Sequence, residues 1–225
     1  MSQHIGVVQF PGTNCEQDNI DTIKTLGGDA EILWHGSDTI GSVDAIVIPG
    51  GFAHGDYLRC GAIARFSPIM TAISRFAKSG GVVLGICNGF QILTETGLLP
   101  GALQKNVGLK FLCQMESLIV DSTSSAIGRW FKSGEKLQIP INHFEGNYVC
   151  SSEVLSELEA YGQIFLRYES NPNGSIGSIA GISNKEGNVI GMMPHPERAT
   201  SDLLGSIDGK RVLRGLLEGN AKNDS

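Results

Sequence analysis

Apolar residues fall into short runs, alternating with helical segments in the first half of the chain and broken by turn dipeptides in the second. Ile5 to Phe10, Glu31 to Trp34, Ala45 to Ile48 and Val82 to Ile86 are dominated by Val, Ile and Leu, with Gly or Pro close by. Such runs read as strands. Between them, Ile20, Ile23 and Leu26 share one helical face, with Asn14 or Asp18 as the expected cap and Gly27-Gly28 as the stop. Ile69, Ile73 and Phe76 do the same over Pro68 to Lys78. Strands alternating with helices imply right-handed crossovers. From about Leu109 the pattern shortens. Met115 to Asp121, Leu137 to Ile141, Asn147 to Cys150, Ile164 to Tyr168, Ile179 to Ser183 and Val189 to Met193 read as strands, parted by Ser133-Gly134, Asn173-Gly174 and Glu186-Gly187. Ser151 or Ser152 is placed to cap a helix over Val154 to Ala160, with Glu153 in its first turn. A last helix is expected from Leu203 to Leu217, with frayed residues from Gly219 on. The pattern predicts an α/β fold: a mostly parallel sheet flanked by helices, with antiparallel additions in the C-terminal half. No repeat or linker divides residues 1–225, so a single domain is expected.

Composition narrows the function. The net charge is −6 and no Lys/Arg cluster is evident, which argues against a nucleic-acid surface. No apolar run approaches membrane-spanning length, and the N-terminus lacks a basic segment followed by a long apolar one, so neither a membrane nor a secretory signal is expected. Cys15, Cys60, Cys87, Cys113 and Cys150 are odd in number and show no C-x-x-C spacing. That fits neither a disulfide framework nor a zinc site and points to a reducing cytoplasm.

The chemistry centres on Gly85-Ile-Cys87-Asn-Gly89, at the junction of an apolar strand and a helical segment. This is the G-x-C-x-G form of a nucleophile elbow, whose flanking positions must be small because strand and helix backbones nearly touch. A cysteine at a helix N-terminus meets unpaired N–H groups that favour the thiolate. The alternative is a buried cysteine closing a core strand. A thiol nucleophile needs a base, and the base an orienting group. His143 and His195 each have a carboxylate two residues on, at Glu145 and Glu197. His195 is favoured because Pro194 and Pro196 stiffen its loop; the competing reading is an exposed turn in which Glu197 pairs with Arg198. Oxyanion donors are expected from the backbone N–H of Asn88 and from the Pro49-Gly50-Gly51 turn. No G-x-x-x-x-G-K-[ST] loop is present, and Gly209-Lys210 lacks its flanking residues, so an ATP-using step is not expected on this chain.

These residues resemble class I (triad-type) glutamine amidotransferases, and in particular the glutaminase subunits of purine biosynthesis. The resemblance is carried by Val8 to Glu16, Pro49 to Gly61, Gly85 to Gln91, Ile139 to Gly146 and Gly191 to Arg198, across most of the chain. It implies a flavodoxin-like fold, with Cys87 as nucleophile, His195 as base, Glu197 as its orienting group, Gly51 and Asn88 at the oxyanion hole, and Gln91 against bound glutamine. It implies glutamine as substrate and no metal or cofactor on this chain. It also implies an ATP-dependent synthetase subunit that uses ATP and Mg on formylglycinamide ribonucleotide, and a third small accessory subunit. Ala53-His54 and the Asn142 and Phe144 flanking His143 depart from the usual pattern. A Cys-elbow hydrolase acting without a synthetase, or a non-catalytic module of the same fold, are the competing readings.

Overall fold

The computed structural model describes residues 2–51, 64 and 66–219. His54 and Cys60 lie outside the described residues. In chain order the elements are β1 (His4–Gln9), α1 (Glu16–Thr25), β2 (Asp29–Trp34), β3 (Ala45–Ile48), α2 (Pro68–Lys78), β4 (Val82–Ile86), α3 (Asn88–Glu95) and β5 (Ala102–Gln104). Then follow β6 (Leu112–Val120), β7 (Lys136–His143), β8 (Asn147–Val149), α4 (Ser152–Ala160), β9 (Ile164–Tyr168), β10 (Ile179–Ser183), β11 (Val189–Met192) and α5 (Asp208–Gly219).

The main sheet runs β2-β1-β3-β4-β11-β10-β9-β6-β7, and β5 pairs with β8 in a small separate ladder. From β2 to β11 every pairing is parallel; from β11 onward every pairing is antiparallel. The central strands β3, β4 and β11 are buried at every position, which is why they read as unbroken apolar runs. The expected α/β architecture, with antiparallel strands in the C-terminal half, is the one observed.

The last strand in sequence is inserted beside β4 rather than added at an edge, with Gly191 paired to Gly85. It therefore delivers the segment after Met192 to the same end of the sheet as the elbow after Ile86. The β6–β7 hairpin is longer than its neighbours. β6 pairs with β9 only over Leu118–Val120, while its pairing with β7 extends back to Leu112 opposite His143. The free half of the hairpin folds over that same end, where the Pro140 carbonyl accepts a hydrogen bond of 2.8 Å from the His195 N–H.

Two expectations need correction. Helix α1 begins after Cys15, with neither Asn14 nor Asp18 as its cap and no side-chain cap bond. The final helix starts at Asp208, because Asp202–Leu204 form a separate 3-10 turn that Gly205 ends in the left-handed region (φ 87°). Strand β8 falls within the expected Asn147 to Cys150, whereas β5 and its pairing with β8 add to the expected set, since a three-residue strand carries little periodicity. Ser151 caps α4, its hydroxyl accepting from the Val154 N–H at 3.3 Å.

Candidate active site

Cys87 occupies the turn between β4 and α3 at φ 51°, ψ −105°. A side chain in that region of backbone space is strained, and such strain persists only where the surroundings enforce it. Here they do. The Cys87 N–H donates to the Met192 carbonyl at 2.8 Å, and its own carbonyl accepts from the Gln91 N–H at 3.1 Å. A Cβ on Gly89 would stand 1.9 Å from the Ile48 carbonyl oxygen, and one on Gly85 would stand 2.7 Å from the Gly89 backbone. The glycines at the elbow are therefore demanded by the contact of α3 with β3 and β4. The thiol is 3% exposed and donates weakly to the Asn142 carbonyl at 3.8 Å.

His195 leaves β11 between two prolines and precedes the 3-10 turn Pro196–Arg198. Its Nδ1 lies 2.6 Å from Glu197 Oε1, and both residues are buried. The exposed-turn alternative does not hold, since Arg198 reaches Glu197 only at 4.0 Å and lies nearer Asp18 and the Cys15 sulfur, each at 3.5 Å. Burial pulls the His195 pKa down, but the Glu197 carboxylate, with smaller help from Cys87 and Cys15, holds it well above the ordinary imidazole range. The other ring nitrogen, Nε2, is buried without a hydrogen-bond partner. With Nδ1 committed to Glu197, Nε2 is the atom able to exchange a proton. Thiol and imidazole are neighbours: a Cβ on Gly50 would lie 2.6 Å from His195 Cε1 and 3.4 Å from the Cys87 Cβ.

His143 is excluded as an equivalent base by its surroundings. It is buried against Gly146, both ring nitrogens lack partners, and no carboxylate engages it. Burial, reinforced by the nearby His195, lowers its pKa to about 3. Gln91, one turn beyond Cys87, donates from Nε2 to the Glu145 carbonyl at 2.7 Å, tying α3 to the turn after β7. Asn88 opens α3, so its backbone N–H has no partner within the helix. Gly51 packs on Thr13, where a Cβ would meet the Thr13 Cα at 2.4 Å, and the nearest approach of that turn to the thiol is by Gly50.

The Pro49-Gly50-Gly51 turn lies beside the thiol as the sequence suggested, through Gly50; sequence reasoning missed Cys15 and the support beneath the base loop. Cys15 is buried beside the triad-like group, and Cys15, His195 and Glu197 offer donor atoms within 4.8 Å of one another. As a metal site the set is poorly disposed: His195 Nδ1 is engaged by Glu197, and the Arg198 cation sits against the Cys15 sulfur. Under the base loop, a Cβ on Gly209 of α5 would stand 1.9 Å from the Pro196 carbonyl oxygen, so only glycine lets the helix buttress that turn. The spacing Cys15-x-x-Asp18, facing Arg198 across the fold, carried no local signal.

A strained cysteine elbow facing a buried imidazole–carboxylate pair, at the ends of parallel strands, can perform cysteine-dependent acyl transfer. That is the class of protein which this fold and this geometry define. The chain belongs to the CobB/CobQ-like glutamine amidotransferase domain family, which matches residues 2–212. It is 54% identical to the phosphoribosylformylglycinamidine synthase subunit PurQ of Prochlorococcus marinus, over 95% of this chain and 99% of that protein. It is 55% identical to the subunit of the same name from Wolinella succinogenes, over 94% and 98%. Among solved structures it resembles a chain of PurLQS from Thermotoga maritima, with a TM-score of 0.89 and 40% identity over 97% of this chain and 99% of that one. No described helix is long and apolar enough to cross a membrane.

Proposed function

We propose that this chain is the glutaminase subunit of a phosphoribosylformylglycinamidine synthase. The observation that carries the reading is the Cys87 elbow beside the buried His195–Glu197 pair, in a chain more than half identical to subunits of that enzyme over nearly its whole length. Cys87 Sγ attacks the side-chain amide carbon of glutamine as its proton passes to His195 Nε2. The backbone N–H groups of Asn88 and Gly51 face the oxyanion. Collapse of the tetrahedral adduct expels ammonia, which takes the proton from His195, and leaves a γ-glutamyl thioester on Cys87. Water, deprotonated by the same imidazole, releases glutamate and restores the thiol. Glu197 holds the imidazole in one tautomer throughout. Gln91 borders the glutamine pocket.

Ammonia passes to an ATP- and Mg-using synthetase subunit, which converts formylglycinamide ribonucleotide to formylglycinamidine ribonucleotide; a small third subunit completes the assembly. This chain supplies one amidotransferase domain, needs no metal or cofactor of its own and works in the cytoplasm. Because free ammonia is wasted, the isolated subunit is expected to be slow and to be stimulated by the synthetase.

The test is mass spectrometry after treatment with a diazoketone glutamine analogue, with and without excess glutamine and the synthetase. An adduct on Cys87, prevented by glutamine and accelerated by the synthetase, supports the reading. Unprotected labelling spread over Cys15 and Cys113, even with the synthetase present, overturns it.

A further inference from the structure

Arg198 directly follows the carboxylate that orients the base, yet it does not bond to it. Its Nε lies 4.0 Å from Glu197 Oε1. Arg198 Nε and Glu197 Oε2 are both buried without a hydrogen-bond partner among the described residues. A guanidinium and a carboxylate this close in a buried site ordinarily close into a hydrogen-bonded pair, because a bare polar atom away from water is costly. The fold keeps these two apart.

The start of α1 holds the cation back. Arg198 Nη2 approaches the Cys15 sulfur and Asp18 Oδ2, each at 3.5 Å. Cys15 stands at the N-cap of α1 and Asp18 three residues on, so the two share one side of its first turn. The Cys15 thiol donates to the Asn14 side-chain oxygen at 3.2 Å, which leaves a sulfur lone pair for the guanidinium. A cation at a helix N-terminus stands against the helix dipole, so these two side chains must supply the attraction that keeps it there. Cys87 faces the imidazole from the elbow. On the elements packed against the base loop, Glu16 of α1 accepts from the Thr13 hydroxyl, Asp208 of α5 accepts from the Gln138 N–H, Arg211 of α5 pairs with Glu135, and His143 of β7 is neutral.

We infer that Cys15 and Asp18 are positioning residues for the glutaminase: they hold the Arg198 guanidinium one bond short of Glu197 and so reserve that carboxylate for His195. The inference rests on the function proposed above. If the guanidinium closed onto Glu197, its charge would offset that of the carboxylate, and its N–H groups would compete with His195 Nδ1 for Oε1. The imidazole would then be less basic and less firmly oriented. Held at 4.0 Å, Arg198 leaves the bond of 2.6 Å between Nδ1 and Oε1 intact.

The test is the pH profile of glutamine-dependent turnover by the assembled complex, with ammonia-dependent synthesis as the control for assembly. Asp18→Asn should move the limb due to His195 to lower pH by about half a pH unit or more and lower kcat roughly fivefold, with KM for glutamine within about twofold and ammonia-dependent synthesis unchanged. Cys15→Ala should act in the same direction, whereas Cys15→Ser, which keeps an acceptor for the guanidinium, should restore the wild-type limb. Asp18 is itself a charge, so a cycle with Arg198→Gln separates its hold on the guanidinium from its own field. With no guanidinium to release, adding Asp18→Asn should move the limb by less than about 0.2 pH unit. Three results each overturn the inference while leaving the glutaminase function standing: a wild-type limb in Asp18→Asn or Cys15→Ala, a Cys15→Ser limb displaced as far as that of Cys15→Ala, or an equal displacement by Asp18→Asn in the Arg198→Gln background. A wild-type complex with no glutaminase activity and no glutamine-protected adduct on Cys87 overturns both.

Discussion

Gly50→Ala is the sharpest perturbation of the thiol–imidazole pair that leaves both groups chemically intact. The new methyl carbon would lie 2.6 Å from His195 Cε1, 3.3 Å from its Nδ1 and 3.4 Å from the Cys87 Cβ. Ordinary carbon–carbon contacts begin at about 3.5 Å, so the ring must retreat by roughly 1 Å. It has little freedom to do so, since Nδ1 is held at 2.6 Å by Glu197, the His195 N–H by Pro140, and the ring is buried. A misplacement of that size costs on the order of 100-fold in turnover, or about 2.7 kcal/mol of barrier. Overpacking of a buried site costs about 1–3 kcal/mol of stability, a fall in Tm of a few degrees for a chain of this length. The assay is steady-state glutamine-dependent synthesis by the assembled complex, with ammonia-dependent synthesis and a thermal melt as controls. A kcat within threefold of wild type, in a chain shown by mass to carry the alanine, would refute the reasoning. It would mean that the position of this imidazole does not limit the chemistry.

Glu197→Gln keeps the shape of the pair and removes the charge that raises the His195 pKa; glutaminase kcat should fall by roughly 100- to 10,000-fold, with the pH limb due to His195 displaced to lower pH. Loss of less than tenfold would show that Glu197 is not needed to orient the imidazole. His143, whose burial holds its pKa at about 3 against the ordinary imidazole value of 6.5, stays neutral in the fold while the unfolded chain takes up a proton. Stability is therefore fully present above pH 6.5 and declines as pH falls towards 3, by an amount of order 5 kcal/mol. A His143→Asn chain should show a flatter acid limb in a Tm-against-pH series, and an unchanged limb would refute the assignment. Ser151→Ala removes the one side-chain cap of α4 and should cost about 1 kcal/mol, read as a lowered urea midpoint with an unchanged slope.

Much of the architecture was legible because the physics that shapes it is local. Ala45 to Ile48 and Val82 to Ile86 are buried on both faces, and an unbroken apolar run is what such a strand requires. Ser151 caps its helix through a bond three residues away. Leu203 to Leu217 misled because their spacing suits one helix, while Gly205 at φ 87° parts a 3-10 turn from α5. The choice between His143 and His195 was open at the level of spacing, each having a carboxylate two residues on. It was decided by which carboxylate the fold turns inward: Glu197 Oε1 reaches His195, whereas Glu145 offers only its backbone carbonyl, to Gln91.

The sequence by itself determined the strand–helix alternation, the cysteine elbow and the stiff His-Pro-Glu loop, since each depends on residues within a turn or two of one another. Only the tertiary structure decided that β11 lies beside β4, that the β6–β7 hairpin folds over the sheet end, and that Cys15 and Gly209 surround or support the site. The physical reason is one of range. Local pattern reports burial and turn chemistry. A contact between Asn106 and Gly146, or between Gly50 and His195, is fixed by packing between segments far apart in the chain, to which no periodicity points.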